Sequence, residues 1–380
     1  MEYVKGNPYF GQVNEKIKQY PYLDKNISCD LLIVGGGING AIVNYFLSQK
    51  YDVVLVDKSR FGMAGTSCAT VLLEYQLDDY AEELKKYMNE QDIINVYRMG
   101  LESINMIEQF IKENGNKCHF RKIPSFMYTN RILGVTSLKK EHEFRIKHGF
   151  ESIFYTSKNN PFPFKIKAGI YNIDGAELNP YLFAKQLIEN SKNQNQLYEN
   201  TEISSIIKHK NSFKVSTNFG NIINCKKIIL ATGFNFSLME ENVKKLCSRT
   251  VSYSIVTKPI KNLKWNPIAL FQDDEDPYHY FRVLPDNRLI FGGEDTKFNL
   301  KPINQNLARK KYEKLTKDLK KIVSNFKEQI DIDYEFCGVF GSTDNNLGLI
   351  GKTDTKNLYY RKFCLRMSSS LADKTSDNKN

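Results

Sequence analysis

The sequence predicts an α/β protein that joins a parallel sheet to a mostly antiparallel one, on three observations. A wholly apolar run at 31–34 leads into three glycines, a helical pattern follows, and a second apolar run closes the unit near 56, which together make a βαβ unit of about thirty residues. A third apolar run, Lys227-Ile228-Ile229-Leu230, ends in Ala231-Thr232-Gly233 far downstream. Between Thr250 and Gly293 strand-type text dominates, with turn residues between short apolar runs.

The elements follow in order. Residues 1–28, with Asn7-Pro8-Tyr9-Phe10 and Tyr20-Pro21-Tyr22, read as an aromatic arm that packs on something else. Asp30 opens a strand to Val34, Ala41, Ile42, Tyr45 and Phe46 place a helix over 40–50, and 51–57 return as a strand buried on both faces. Helical spacing of Leu84, Tyr87 and Met88, then of Ile93, Ile94, Val96 and Tyr97, then of Ile104, Ile107, Phe110 and Ile111 predicts two helices over 77–114, stopped by Asn114-Gly115. From 120 to 167 Pro124, Pro161 and Pro163 break the text into strands and loops around a short charged helix near 138–148. Asn179-Pro180 opens a helix to about 191, 203–207 is a strand, and 213–216 pairs with 222–223 across a turn containing Gly220. A basic helix spans 304–327, and 334–351 is strand and turn. These elements predict an arm (1–28), a first domain in pieces (29–115, 173–243 and a remnant at 337–360), a second domain in two pieces (116–172 and 244–336) and a tail (361–380).

Composition narrows the class. Hydrophobic residues make up 41% of 380 and aromatic ones 12%, which excludes whole-chain disorder. No run approaches the roughly 18 apolar residues of a membrane span, and the N-terminus lacks a signal-peptide pattern, so a cytoplasmic protein without a membrane span is expected. The seven cysteines are scattered and never spaced as C-x-x-C, so neither a disulfide framework nor a metal site is expected. The net charge of +11 is spread along the whole chain rather than gathered, and no nucleic-acid partner is expected.

Gly35-x-Gly37-x-x-Gly40 directly follows the first buried strand and directly precedes a helix, the context that turns a weak pattern into a dinucleotide site of Rossmann-like type. Gly35 permits the tight turn, Gly37 lets backbone approach a pyrophosphate, and Gly40 lets helix and strand pack closely. Ile38 and Asn39, inside the glycine pattern, are cofactor-binding candidates beside the helix N-terminus, whose unpaired N–H groups and dipole favour the phosphates. Asp57, with Lys58 beside it, ends the second strand where a carboxylate accepts hydrogen bonds from ribose hydroxyls. An acid there disfavours a 2′-phosphate and leaves FAD and NAD.

Seven segments, in order, resemble the D-amino-acid-oxidase-like (DAO) family of FAD-dependent oxidoreductases, which includes glycine, sarcosine and γ-glutamylputrescine oxidases. They cover 30–42, 53–68, 175–188, 198–204, 227–234, 280–296 and 340–352, so the resemblance runs from about 20 to 358. It implies FAD as cofactor, a Rossmann-like FAD domain, and an antiparallel sheet that covers the flavin and forms the substrate cavity. It further implies that Gly65, Thr66 and Ser67 reach the diphosphate and flavin, that Thr70 lies near the ring, that backbone of Ile203 holds adenine, and that Ala231, Thr232 and Gly233 close over the cofactor. The implied reaction is hydride transfer from a carbon bearing an amine to flavin N5, with an amine or amino-acid-like small molecule as substrate. Family members that oxidise amino acids often carry an arginine where Phe340 stands here, so an amine or modified amino acid is the better expectation. Tyr253, His279, Arg282 and Arg288 are the candidate catalytic side chains on the substrate sheet. A degenerate, non-catalytic flavoprotein and an NAD-dependent dehydrogenase are the alternatives. After Asn357-Leu358-Tyr359-Tyr360 the family continues with a glycine-rich turn and a helix, whereas no glycine follows Gly351 here. A truncated or frameshifted ending, a disordered tail and impaired activity are the expectations this departure raises.

Overall fold

The computed structural model describes residues 3–12, 17–235, 237–238, 244–263, 265–299 and 302–362. In chain order the elements are β1 (Val4–Gly6), β2 (Ile27–Val34), α1 (Ile38–Leu47), β3 (Val53–Val56), α2 (Ala81–Leu84), α3 (Glu90–Asn114), β4 (Arg121–Lys122), β5 (Ser125–Thr129), α4 (Ile132–Lys147), β6 (Ser152–Thr156), β7 (Ala168–Asn172), β8 (Ala176–Glu177) and α5 (Pro180–Glu189). They continue as β9 (Leu197–Tyr198), β10 (Ile203–His209), β11 (Ser212–Thr217), β12 (Ile222–Leu230), β13 (Ser248–Thr257), β14 (Leu270–Asp273), β15 (His279–Val283), β16 (Leu289–Lys297), α6 (Gln305–Ile322), β17 (Ile332–Ser342), β18 (Leu349–Lys352) and β19 (Leu358–Lys362).

The first sheet runs β10-β11-β12-β2-β3-β9, with β19 also on β12 and β18 on β19. Strands β2, β3, β9, β12 and β19 are parallel, so Gly35, Asp57 and Ala231 all emerge at one end. The apolar runs are continuous because both faces are covered. Leu31, Ile33, Val53 and Leu55 pack with Ala41 and Val43 of α1 and with Tyr181, Ala184 and Leu187 of α5. Leu32, Val34, Val54 and Val56 pack under Phe213 and Val215 of the β10–β11 hairpin.

The second sheet has nine strands in the order β1-β17-β13-β16-β15-β14-β5-β7-β6, so segments far apart in sequence share one surface. Its residues alternate faces. Val251, Tyr253, Ile255, Phe281, Phe291, Cys337 and Val339 join Tyr312, Leu315 and Leu319 of α6 in one core. Ser252, Tyr280, Arg282 and Gly338 turn the other way, toward the segment that follows the first βαβ unit.

Several boundaries differ from expectation for physical reasons. Helix α1 starts at Ile38, because Gly37 is its extended N-cap, and stops at Leu47. Helix α4 starts at Ile132 rather than near 138, since Ile132 and Leu133 are 77% and 79% exposed and mark no buried face. Residues 222–230 form one strand, not two, because one edge serves β11 with its first half and β19 with its second. The basic helix ends at Ile322 and a 3₁₀ turn, Ser324–Gln329, follows across the non-helical Phe326. The expected boundary at 337 falls inside β17, which stays in the nine-stranded sheet through Ser342. The arm is a seam: Val4 to Gly6 pair with β17, and the buried Glu199 carboxylate accepts N–H bonds from Tyr20 (3.2 Å) and Phe61 (2.9 Å) and one from the Lys185 ammonium (3.0 Å). Of the expected tail, Arg361 and Lys362 complete β19, and 363–380 lie outside the described residues.

Candidate cofactor and substrate site

At the carboxyl end of the parallel strands the glycines do separate work. Gly35 has φ +106, and a Cβ there would stand 2.4 Å from the Ala231 carbonyl oxygen. A Cβ on Gly40 would stand 1.7 Å from the Gly35 carbonyl oxygen, so helix and turn touch backbone to backbone. At Gly37 an added Cβ meets only Thr66 Oγ1, at 3.1 Å. The Ile38 N–H donates to that same Thr66 oxygen at 2.9 Å, and Asn39 Oδ1 is buried without a partner in the first helical turn. A phosphate-sized anion fits here: a positive helix end and a glycine without a side chain over it.

Asp57 accepts the Gly36 N–H at 2.7 Å on one carboxylate oxygen, and the Ser59 N–H (2.8 Å) and hydroxyl (3.0 Å) on the other. The first oxygen, Oδ2, keeps lone-pair capacity for a sugar hydroxyl, whereas Ser59 fills the second. Burial pushes the carboxyl above its ordinary range, and the bonds from Ser59 and Gly36, with the charge of Lys58, oppose it. Lys58 itself lies 5.6 Å from the centre of the Tyr3 ring, over the arm. A Cβ on Gly65 would meet the Phe234 ring at 2.6 Å. Ser67 turns its hydroxyl onto the Ala64 carbonyl (2.9 Å), so its side chain braces its own loop. Ala231 continues β12 through a bond to the Val34 carbonyl (2.8 Å), Thr232 closes its own turn on the Asn235 carbonyl (2.8 Å), and Gly233 has φ +58 with open space where a side chain would be. Ile203 is buried, two residues after Thr201, whose N–H donates to the Asp57 carbonyl (2.7 Å). The structure therefore gathers the glycine turn, Asp57, Thr66 and Ala231 at the carboxyl end of the parallel strands, with Ile203 two residues past the Thr201 that bonds the Asp57 carbonyl.

The four candidate catalytic side chains are not brought together. Tyr253 and His279 lie on the sheet face that packs against α6. Tyr253 bonds Thr296 (2.9 Å) and stacks edge-on against Tyr312. His279 pairs with Asp273 (3.0 Å), and its other nitrogen faces Glu294 and Asp318, three donor atoms within 4.8 Å of one another, with Lys311 and Lys314 already on Glu294. Arg282 is on the cavity face but committed: it donates to the Thr70 carbonyl (2.9 Å), to Glu177 and to the Leu178 carbonyl (3.1 Å). Arg288 pairs with Asp286 (2.8 Å) and Asp333 (2.5 Å) at the far end of the sheet. Arg282 thus holds the Thr70 carbonyl, while Tyr253, His279 and Arg288 make their contacts away from it. Tyr253→Phe is accordingly expected to change kcat/KM by less than about fivefold, about 1 kcal/mol in the transition state, as steady-state kinetics will read.

Of the polar residues gathered on the other sheet face, with Arg282, and on the segment opposite it, only Thr70 was among the expected site residues. Thr70, Glu74, Gln76 and Asp78 come from the segment that runs along β8. Opposite them stand Ser125, Ser252, Ser254, Tyr278, Tyr280 and Asp295. Ser252 and Tyr280 share a bond of 2.9 Å, and the Tyr278 hydroxyl donates to Asp295 at 3.0 Å. The only sequence signal for this wall is the every-second-residue spacing of Glu74, Gln76 and Asp78, which reads equally well as a solvated loop. Asp295 reaches the wall through a bulge: the pairing of β13 with β16 slips between Val251 and Tyr253, Gly293 has φ +137 and Glu294 φ +57, and consecutive carboxylates are sent to opposite faces.

Comparison with known proteins places this arrangement. The family model described as DAO, FAD dependent oxidoreductase, matches residues 30–361. The chain is 22% identical over 364 residues to γ-glutamylputrescine oxidoreductase of Escherichia coli K12, covering 93% of this chain and 83% of that protein. It is 24% identical over 229 residues to the putative Rieske 2Fe-2S iron-sulfur protein YhfW of Bacillus subtilis 168, a match that spans 60% of this chain and 44% of that relative. Among solved structures, glycine oxidase from Geobacillus kaustophilus superposes with a TM-score of 0.73 at 16% identity over 90% of each chain. The L-α-glycerophosphate oxidase of Mycoplasma pneumoniae with FAD bound superposes with a TM-score of 0.71 at 16% identity, over 88% of this chain and 89% of that one. No helix among the described residues is long and apolar enough to cross a membrane.

Proposed function

The chain belongs to the DAO family of FAD-dependent oxidoreductases, and from that premise we propose that it oxidises the carbon–nitrogen bond of an amine or amino-acid-like molecule by hydride transfer to FAD. The observation that carries the reading is the glycine turn, helix N-terminus and Asp57 at the carboxyl end of the parallel strands, joined through the Thr70 segment to a polar sheet face with two tyrosines. The Gly37 and α1 end would hold the diphosphate, Asp57 the adenosine ribose, and Thr66 would fix the helix end between them. Bound there, FAD supplies an acceptor for a hydride.

The chain's residues then have positioning to do. Arg282 fixes the Thr70 carbonyl, and Tyr280 lies against Thr70 and Ser252, so the cavity wall nearest the expected ring is braced from behind by a buried ion pair. A substrate amine has to be neutral at the reacting nitrogen, and hydroxyl groups of Tyr280 and Ser252 accept a proton's hydrogen bond without carrying charge of their own. The test is direct. Purified protein is scanned for flavin absorbance per chain and then mixed with primary amines and amino acids without oxygen; bleaching of the flavin band is the expected result. A bound flavin that no amine bleaches supports the non-catalytic alternative, and nicotinamide-dependent turnover without a chromophore overturns the proposal. Flavin occupancy is measured before turnover.

A further inference from the structure

The face of the nine-stranded sheet that packs against α6 carries a cluster the proposed reaction does not use. His279 of β15, Glu294 of β16 and Asp318 of α6 offer one donor atom each, and the three atoms lie within 4.8 Å of one another. Asp273 fixes the histidine twice: one carboxylate oxygen accepts the His279 N–H at 2.7 Å, and the other faces ring Nδ1 at 3.0 Å. A carboxylate there keeps the ring proton on Nδ1, so the lone pair of Nε2 is aimed between Glu294 Oε1 at 3.5 Å and Asp318 Oδ2 at 3.7 Å. His279 is 8% exposed, and Nε2 is buried without a hydrogen bond. A proton on that nitrogen would find neither oxygen at bonding distance. The spacing suits a coordination shell instead, since metal–ligand bonds of about 2.1 Å at tetrahedral angles put neighbouring ligand atoms about 3.4 Å apart.

A cation already stands at this position. The Lys314 ammonium sits on Glu294 Oε1 and 3.5 Å from Asp318 Oδ2, the same two oxygens that face the ring. Its side chain is 50% exposed and has room to swing away. Lys311 and Lys321 take the outer oxygens, Glu294 Oε2 at 2.9 Å and Asp318 Oδ1 at 2.6 Å, so each carboxylate is held with its inner oxygen toward His279. We propose that His279 Nε2, Glu294 Oε1 and Asp318 Oδ2 bind a divalent transition metal, zinc above all, in place of the Lys314 ammonium, with Asp273 as the carboxylate behind the histidine. The nitrogen donor and the small number of ligands select against magnesium and calcium, which take six or more oxygens. The ligands come from two adjacent strands and the helix packed on them, so the ion ties α6 to the sheet and its expected effect is on stability.

Chelator-treated full-length protein is titrated calorimetrically with zinc and with magnesium, and with cobalt followed by difference absorbance. One zinc per chain is expected to bind at least about 100-fold tighter than magnesium, cobalt to give the strong visible bands of a tetrahedral site, and zinc to raise the melting temperature. Asp318→Asn is expected to weaken zinc at least about tenfold and to abolish the cobalt bands. Lys314→Ala, which removes the competing ammonium, is expected to tighten zinc about tenfold, a gain that unfolding cannot imitate. Lys317→Ala takes the same charge from the same helix and is expected to leave the affinity unchanged. Magnesium that binds as well as zinc, zinc binding that is absent or that survives Asp318→Asn, or equal tightening by Lys317→Ala and Lys314→Ala overturns the proposal. These readouts need neither flavin nor amine, so they succeed or fail apart from the oxidation reading.

Discussion

Gly40→Ala is expected to empty the protein of flavin and to cost it much of its stability, whereas Gly37→Ala is expected to cost the flavin alone. The two positions belong to one motif but carry different loads. The new methyl at 40 would fall 1.7 Å from the Gly35 carbonyl oxygen, so α1 must move away from the turn after β2, and both are backbone with no rotamer to give. Overpacking of this kind costs roughly 1–3 kcal/mol or more, a large part of the roughly 5–15 kcal/mol that holds a domain folded. At 37 the methyl meets only Thr66 Oγ1 at 3.1 Å, which a small shift of that side chain relieves. What it fills is the space over the helix end, and the expected result is an unchanged flavin-free melting temperature with FAD affinity about 10–100-fold lower. Melting curves with and without added FAD decide it. A Gly40→Ala protein that melts and binds FAD like the parent would remove the basis for placing the dinucleotide at this turn.

The second large effect is expected at the buried Arg282–Glu177 pair, whose side chains are 2% and 1% exposed. Burial lowers the affinity of Arg282 for its proton and Glu177 opposes that, so the Arg282 charge is tolerated only while Glu177 is present, whereas Glu177 is held by Arg121 as well. Glu177→Gln is expected to cost about 3–5 kcal/mol in urea unfolding, because the Arg282 charge is stranded out of water, and Arg282→Ala about 2–3 kcal/mol, because Glu177 keeps Arg121. Arg288→Ala, whose partners Asp286 and Asp333 are 46% and 33% exposed, is expected to cost no more than about 1 kcal/mol. Because Arg282 also carries the Thr70 carbonyl, its replacement is expected to shift the flavin absorption bands in whatever protein remains folded, while Arg288→Ala leaves them in place. Equal stability losses at the two arginines would refute the assignment of Arg282 as the brace behind the cavity.

The sequence by itself determined the dinucleotide half. Gly35, Gly37 and Gly40 between an unbroken apolar strand and a helix, and Asp57 at the next strand's end, are local requirements: a turn with positive φ, a close helix approach and a strand buried on both faces each restrict residue type at the position itself. The hairpin of β11 on β12 and the Asn179 cap of α5 were legible for the same reason. The substrate wall was not. In the antiparallel sheet both faces are buried, so alternation carries no polar–apolar contrast to say whether Tyr253 or Ser252 faces the groove, and Tyr253 and His279 lie against α6 instead. The choice was made by the tertiary structure, through the packing of α6 on one face and the bulge at Gly293 and Glu294 that turns Asp295 to the other. Asp78 and Asp295 stand more than two hundred residues apart in the chain, and only the closing of the nine-stranded sheet over the first domain brings the two carboxyl groups near each other.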